Sequence, residues 1–596
     1  MSPENYYTQR LATLQQQLAA LQIKKSRIAW LRFATVAAIV AGTYFLWSLG
    51  WIYVVSTVVV LMVIFTRLVF ADIDNSKNIT HTKHLTGINE DELKALVHNY
   101  YHFENGNEFT DPKHNYANDL DIFGKASLYQ YINRTTSQMG SGTLAKWLLN
   151  PADVATIYQR QTAIKELVTK PEYRQQLQAL GKEKKIQSAT QTRLQQWFAG
   201  SNYFVTHKYW LVVQYVIPAI VISFLLLNIF DVINNYARNY CLLAAAIIAG
   251  FIFKKVTPLH QQVSKIADEL GVLADSIKVI ESEKFTSPLL QQLQKQFVQQ
   301  GSNASVQLKE LQKILERLDL RYNPVVFVPL DVILQWDLQQ AIALEKWKQR
   351  NADTVLEWFT ALGKIETLNS FATVAFNNPD WCYPTLQEQH FFIEGTTIGH
   401  PLINATKRVN NDIEIKDCGE VMLITGSNMA GKSTYLRSIG VNVVLAMAGA
   451  PVCATKFSLS PVTIISSMRI ADNLEESTST FYAELKKLKT IIDKVNAGEK
   501  IFILLDEILR GTNSLDRHTG SEALIKQMIK HKAACIIATH DIELAKLQQT
   551  YPQNILNYHF DVQVSNEELY FDYVLKEGIC TSLNASILMK KIGIEL

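Results

Sequence analysis

From Phe33 to Thr66 the chain carries no charged residue, and Arg32 and Arg67 close the run on either side. At ~1.5 Å per residue this run makes about 50 Å of helix, longer than a hydrocarbon core of roughly 30 Å. Ser48-Leu49-Gly50 offers a turn near its middle. Two spans, Ala29–Ser48 and Trp51–Phe70, are therefore expected, with the bracketing arginines reaching the interface. A second pair follows. Tyr209–Phe230 is uncharged, Asp231–Arg238 is a polar break, and Asn239–Phe253 is uncharged up to Lys254-Lys255. The competing arrangement for such runs is a set of buried helices in a large soluble core. The first run starts too late and is too long for a cleaved signal peptide.

Basic residues flank both pairs: Lys24, Lys25, Arg27, Arg32 and Arg67 around the first, Lys208, Lys254 and Lys255 around the second. The first connector is uncharged and the second has one charge of each sign. Both hairpins are thus expected to keep their ends on the cytoplasmic side, in a membrane of the bacterial inner type.

With 596 residues the chain needs several cores. Its net charge of +3 gives no strong nucleic-acid footprint. Six cysteines without a C-x-x-C pair read as reduced thiols, not a disulfide framework or zinc site. Residues 1–28 read as an amphipathic helix, with Leu11, Leu14, Leu18 and Leu21 among glutamines, and 29–72 as the first hairpin. Residues 73–114 read as a polar connector. It holds His81, His84, His98, His102 and His114 at spacings that match no metal pattern. Residues 115–208 and 256–385 read as helical levers on either side of the second hairpin, 209–255. From 386 onward, short apolar runs (His390–Glu394, Asp412–Ile415, Val421–Ile424, Ile501–Leu505, Ala534–Ala538) alternate with helical stretches. That alternation predicts an α/β domain with a mainly parallel sheet.

Within that domain Gly426-Ser427-Asn428-Met429-Ala430-Gly431-Lys432-Ser433-Thr434 follows a buried-strand run and precedes a helix-like stretch. In this context the G-x-x-x-x-G-K-S spacing describes a phosphate-cradling loop and not a chance glycine turn. Gly426 and Gly431 let backbone N–H groups converge on phosphate oxygens. Lys432 would reach the β- and γ-phosphates, and Ser433 would ligate Mg²⁺. Eighty residues on, an apolar strand ends in Asp506-Glu507, a pair suited to a second metal ligand and a general base. A further strand ends in Thr539-His540, where the histidine could sense the γ-phosphate or hold a water. Between them the hydroxyl-rich Ser477-Thr478-Ser479-Thr480 enters a helix, a suitable place for an anion.

Together, Gly426–Thr434, Ser479-Thr480-Phe481, Asp506–Thr512 and Ala538-Thr539-His540 resemble the MutS family of ATPases. His400-Pro401, Asn410-Asn411-Asp412, Asn557-Tyr558-His559 and, upstream, Asp121-Ile122-Phe123-Gly124, Asn133-Arg134-Thr135 and Met139-Gly140 are similar to further family positions. The resemblance covers roughly residues 115–200 and 255–596. It implies an ABC-type ATPase domain on all-α levers, working with ATP and Mg²⁺ as a homodimer, with DNA as a partner in mismatch repair or recombination. It also implies that Ser479 acts in trans on the partner's nucleotide, that Asn428 supports the phosphate loop, and that Arg510–Asp516 relays nucleotide state.

The chain departs from the family in several places. About 115 residues precede the levers, which leaves no room for the family's mismatch-reading domain. The one Phe-x-Glu, Phe392-Ile393-Glu394, reads as strand. Arg408 stands where the family places an aromatic on adenine, so base contact there is either a guanidinium stack or absent. Ser477, Leu509 and Arg517 stand where the family has glycines, and the chain ends just past Gly593. Two functions stay open: a membrane-anchored MutS-like ATPase acting on DNA, and a membrane mechanochemical ATPase whose levers move the hairpins without DNA. A transporter fits less well, because apart from the bracketing arginines and lysines the expected spans carry no ionisable residue that would mark a substrate path.

Overall fold

A computed structural model describes residues 2–263, 266–299, 301–388, 391–427, 429–469, 480–565 and 568–580. Asn428, Ser479, most of the hydroxyl-rich loop and Gly593 lie outside the described residues.

Two long helices, Pro3–Leu46 and Trp51–Leu96, form the first hairpin, turning at Gly50 with φ +118°. Glycine alone takes that conformation without strain. These two helices run through all three segments that the sequence separates into amphipathic helix, spans and connector. The far half is apolar and exposed, with Val40 66% and Val60 59% accessible. The near half packs onto the protein. Residues 73–96 are not a loose connector but the return of the second helix, burying Asn75, Ile79, Thr82, Leu85, Ile88, Asn89 and Glu92. This face has helical spacing, and polar residues at several of its positions hid it from a hydropathy reading. Arg32 pairs with Asp72 at 2.8 Å where the two halves meet.

The second hairpin is Tyr209–Ile229 and Asn235–Val263. By length and composition these four helices could each cross a membrane. A layer of helices surrounds their bases. It includes Gln138–Leu149, Val154–Val168, Ala267–Ser282 and Ala304–Leu318, and ends in the long Val355–Asn377. Trp347, Trp358 and Phe359 are fully enclosed in this layer.

The C-terminal part contains a six-stranded sheet in the order Glu568–Glu577, Ile555–Ser565, Val421–Thr425, Ala534–Thr539, Ile501–Asp506, Thr463–Ser467. Every pairing is parallel except the first. The three central strands are buried at every position, which explains their continuous apolar runs. A smaller four-stranded sheet includes Ile393–Ile398 and Asn411–Ile415. Of the strand expected at His390–Glu394, His390 lies outside the described residues; the described strand starts at Ile393 and runs on through Gly395-Thr396-Thr397, residues that carry little hydrophobic signal.

Candidate active site

Parallel register aligns the ends of three strands. Ala538 pairs with both Ile424 and Asp506, and Thr539 pairs with Thr425. Hence the loop after Thr425, the carboxylates at Asp506 and Glu507, and His540 all emerge at the carboxyl edge of the sheet, where α/β folds hold ligands.

Gly426 adopts φ +146° and Gly431 φ +110°. A Cβ on Gly426 would stand 2.9 Å from the Phe560 carbonyl oxygen, so any side chain there would push the loop off its neighbouring strand. Gly431 begins the helix Lys432–Ala448, whose N-terminus opens onto the cleft. The helix is held from below: Tyr435 donates its hydroxyl proton to the Asp412 carbonyl, and Asn442 bridges the Gly399 carbonyl and the Cys453 amide.

Lys432 is buried and donates from Nζ to the Gly426 and Ser427 carbonyls, at 2.7 and 2.9 Å. Burial lowers its amine from the ordinary value, and the Glu507 and Asp506 carboxylates oppose that shift. The Asp506 carboxyl is raised by burial, against a hydrogen bond from Ser433. Its Oδ1 is buried without a hydrogen-bond partner among the described residues. A buried free carboxylate oxygen beside a serine hydroxyl at the end of a phosphate loop suits Mg²⁺, which takes one or two protein oxygens and leaves the rest to phosphate and water. Glu507 holds φ +49°, a costly conformation for a non-glycine residue. There its amide donates to the Ala538 carbonyl at 2.8 Å and its carboxylate meets Arg510 Nε at 3.1 Å. His540 Nδ1 is 3.6 Å from Glu507 Oε1 and has no other partner among the described residues.

A cavity of about 350 Å³ gathers Lys432, Ser433, Thr434 and Glu507 with Ser427 and Met429 of the loop. Ala430 is enclosed below it. Arg408 does not line this cavity. Its Nε donates to Asn410 Oδ1 and its stem fills the space over Gly399, while its neighbours Lys407 and Val409 face the cleft. Of the two alternatives at Arg408, a guanidinium stack or no base contact, this geometry favours the second: the turn that carries the Lys407 and Arg408 amides to the Asn404 carbonyl sets Arg408 against Asn410. Two aromatics that sequence reading missed, Phe560 and Tyr573, close the far wall. Both lie on strands whose mixed polarity concealed them. Glu484 was also missed. It is buried and accepts the Leu509 amide, fixing Leu509 at φ +60° over Gly520.

The family model for MutS domain V matches residues 422–590, and that for MutS domain III matches residues 112–372. The chain belongs to the MutS family. The DNA mismatch repair protein MutS of Aquifex pyrophilus is 33% identical over 252 residues, covering 41% of this chain and 28% of that protein. MutS protein homolog 4 of Homo sapiens is 34% identical over 196 residues, covering 31% of this chain and 20% of its own length. The chain thus matches less than a third of the length of these MutS relatives. The second hairpin lies inside the stretch matched by MutS domain III.

Proposed function

We propose that this chain is a Mg²⁺-dependent ATPase of the MutS family, anchored in a membrane by its two helical hairpins. The observation that carries this reading is the convergence of Lys432, Ser433 and Glu507 on one cavity at the carboxyl edge of the sheet, with Asp506 hydrogen-bonded to Ser433 beside it. Loop amides and Lys432 hold the β- and γ-phosphates. Ser433 and Asp506 would hold Mg²⁺, which would neutralise charge on the transferred phosphoryl group. Glu507 orients and deprotonates the attacking water, and His540, 3.6 Å away, positions it against the γ-phosphate. The ATPase domains pair so that each site receives Ser479 from the partner subunit, and DNA is the substrate on which the levers act.

A second reading is supported by one observation. The hairpin Tyr209–Ile229 and Asn235–Val263 interrupts the stretch matched by MutS domain III. On this reading ATP-driven closure rearranges the membrane helices and DNA has no role. One experiment separates the two: steady-state ATPase turnover of the full-length protein with duplex, mismatched and branched DNA, against liposomes alone. Stimulation by DNA upholds the first reading. Stimulation by lipid with inert DNA replaces it with the second, and absence of turnover under every condition rejects both.

A further inference from the structure

The helix Pro324–Leu334 has its polarity inverted relative to a soluble domain. Val325 is 84% and Val328 53% exposed, and Tyr322 just before it is 72% exposed. The opposite side holds the buried Phe327, whose ring packs 5.9 Å from Phe253, and the buried Asp331. At Gln335 (φ +52°) the chain bends by 80° into the polar helix Trp336–Asn351. Valines face outward here and charges face inward.

Around the bend several polar groups are joined to one another, while Gln335 Oε1, Arg321 Nε and both Asp337 carboxylate oxygens are buried without a hydrogen-bond partner among the described residues. Asp331 accepts the Gln335 amide at its carbonyl and the Asp337 amide at its carboxylate, at 2.8 and 3.0 Å. Gln335 is fully enclosed and donates from Nε2 to the Ala245 carbonyl. Arg321 donates to the Phe253 carbonyl and the Thr257 hydroxyl, both at 2.9 Å, and pairs with Asp337 at 3.2 Å. The Arg321 and Asp337 side chains are 5% and 0% exposed. A buried ion pair adds little to the stability of a soluble protein, and outward valines make an exposed apolar patch. In hydrocarbon, by contrast, a chain break is tolerated where it is buried in protein, as Gln335 and Asp337 are here.

We propose that Pro324–Leu334 is a third membrane element, a half-length helix lying among the acyl chains of the leaflet that holds the Lys254-Lys255 end of Asn235–Val263. This rests on the membrane reading of the hairpins and extends it. The occupant of the valine face is lipid, because that face continues the exposed apolar surface of Tyr209–Ile229 and Asn235–Val263, against which the helix packs. Its eleven residues span about 16 Å at ~1.5 Å each, half of a bilayer core of roughly 30 Å. The Arg321–Asp337 pair ties this helix to Trp336–Asn351, so it moves with the helical layer and not independently of it.

The test uses full-length protein in phosphatidylcholine–phosphatidylglycerol vesicles, with photoreactive benzoylphenylalanine placed singly at Val325, Val328, Val60 or Val306. Val60 lies in the first hairpin and reports the membrane reading itself. Val306, 60% exposed on Ala304–Leu318, is the aqueous reference. After illumination, mass spectrometry should find lipid adducts at Val325 and Val328 in yields comparable to Val60, and none at Val306. Adducts at Val60 without any at Val325 and Val328 would overturn the proposal while leaving the hairpins in the membrane. Chain-to-chain adducts at Val325 would assign the face to a second copy and overturn it too. Absence of adducts at Val60 would remove the membrane reading and this inference with it.

Discussion

Asp121 grips Arg469 with both carboxylate oxygens, Oδ1 to Nη1 at 2.6 Å and Oδ2 to Nη2 at 3.0 Å. Arg469 closes the described part of the chain just ahead of Ser477–Ser479. Asp121 opens the helical layer and sits at φ +50°. Beside it Asp119 takes the Arg469 amide, the Ser466 hydroxyl and the Lys487 amine. The helical layer therefore holds both ends of the segment that carries the hydroxyl-rich loop.

Both members of the Asp121–Arg469 pair are substantially exposed, so its worth to stability is under ~1 kcal/mol. Arg469→Ala and Asp121→Ala should leave the thermal unfolding midpoint nearly unchanged. ATPase turnover should fall several-fold in each, and the double variant should fall no further than either single one. Additive losses in turnover would show that the two residues do not act as a pair.

Lys432→Ala should abolish nucleotide binding measured by calorimetry, since it removes the amine from the centre of the loop. Glu507→Gln should bind normally and lose turnover by about 10²-fold or more. Normal turnover in Glu507→Gln would refute its assignment as the base.

Glu366 is buried, with Oε1 accepting from the Thr136 hydroxyl and Oε2 from the Ser137 amide and hydroxyl. Burial raises its carboxyl from the ordinary 4.5. A carboxyl raised on folding favours the folded state below its unfolded value, and that advantage is lost as pH rises through the folded value. The unfolding midpoint should therefore decline as pH climbs from about 4.5, and Glu366→Gln should flatten the decline. An unchanged slope in the variant would place the pH dependence elsewhere.

A Cβ on Gly440 would stand 2.7 Å from Leu120 Cδ2 and 2.9 Å from Leu504 Cδ1. Gly440→Ala should destabilise by about 1–3 kcal/mol through overpacking. Leu120→Ala alone should cost about 2–5 kcal/mol. The double variant should be more stable than the sum of the two losses, read from chemical unfolding, because the alanine at 440 occupies space that the shortened residue leaves.

The phosphate loop and the Asp506-Glu507 edge were legible because each is a contiguous string whose spacing is dictated by phosphate geometry. The central strands were legible for a related reason, being buried on both faces and therefore continuously apolar. What escaped was set by tertiary contacts. Residues 73–96 bury Asn89 against Gln175 and Glu92 against Arg134, so their helical face does not look apolar. Tyr573 reaches the cleft only because an antiparallel edge strand folds back beside Ile555–Ser565. The outward orientation of Arg408 depends on the absent side chain at Gly399, a relationship between positions nine residues apart that spacing does not encode.

Tyr7 donates its hydroxyl proton to Asn377 Oδ1 at 2.7 Å, at the last residue of the long helix that leads into the sheet domain. The helix Pro3–Leu46 is unbroken over 44 residues, and the part beyond that contact is about 60 Å long at ~1.5 Å per residue. The hairpin is thus a pointer pivoted at its base. A tilt of about 10° imposed there would sweep its tip through roughly 10 Å, a displacement comparable to a helix diameter. A change too small to reshape the sheet domain would still be large at the tip.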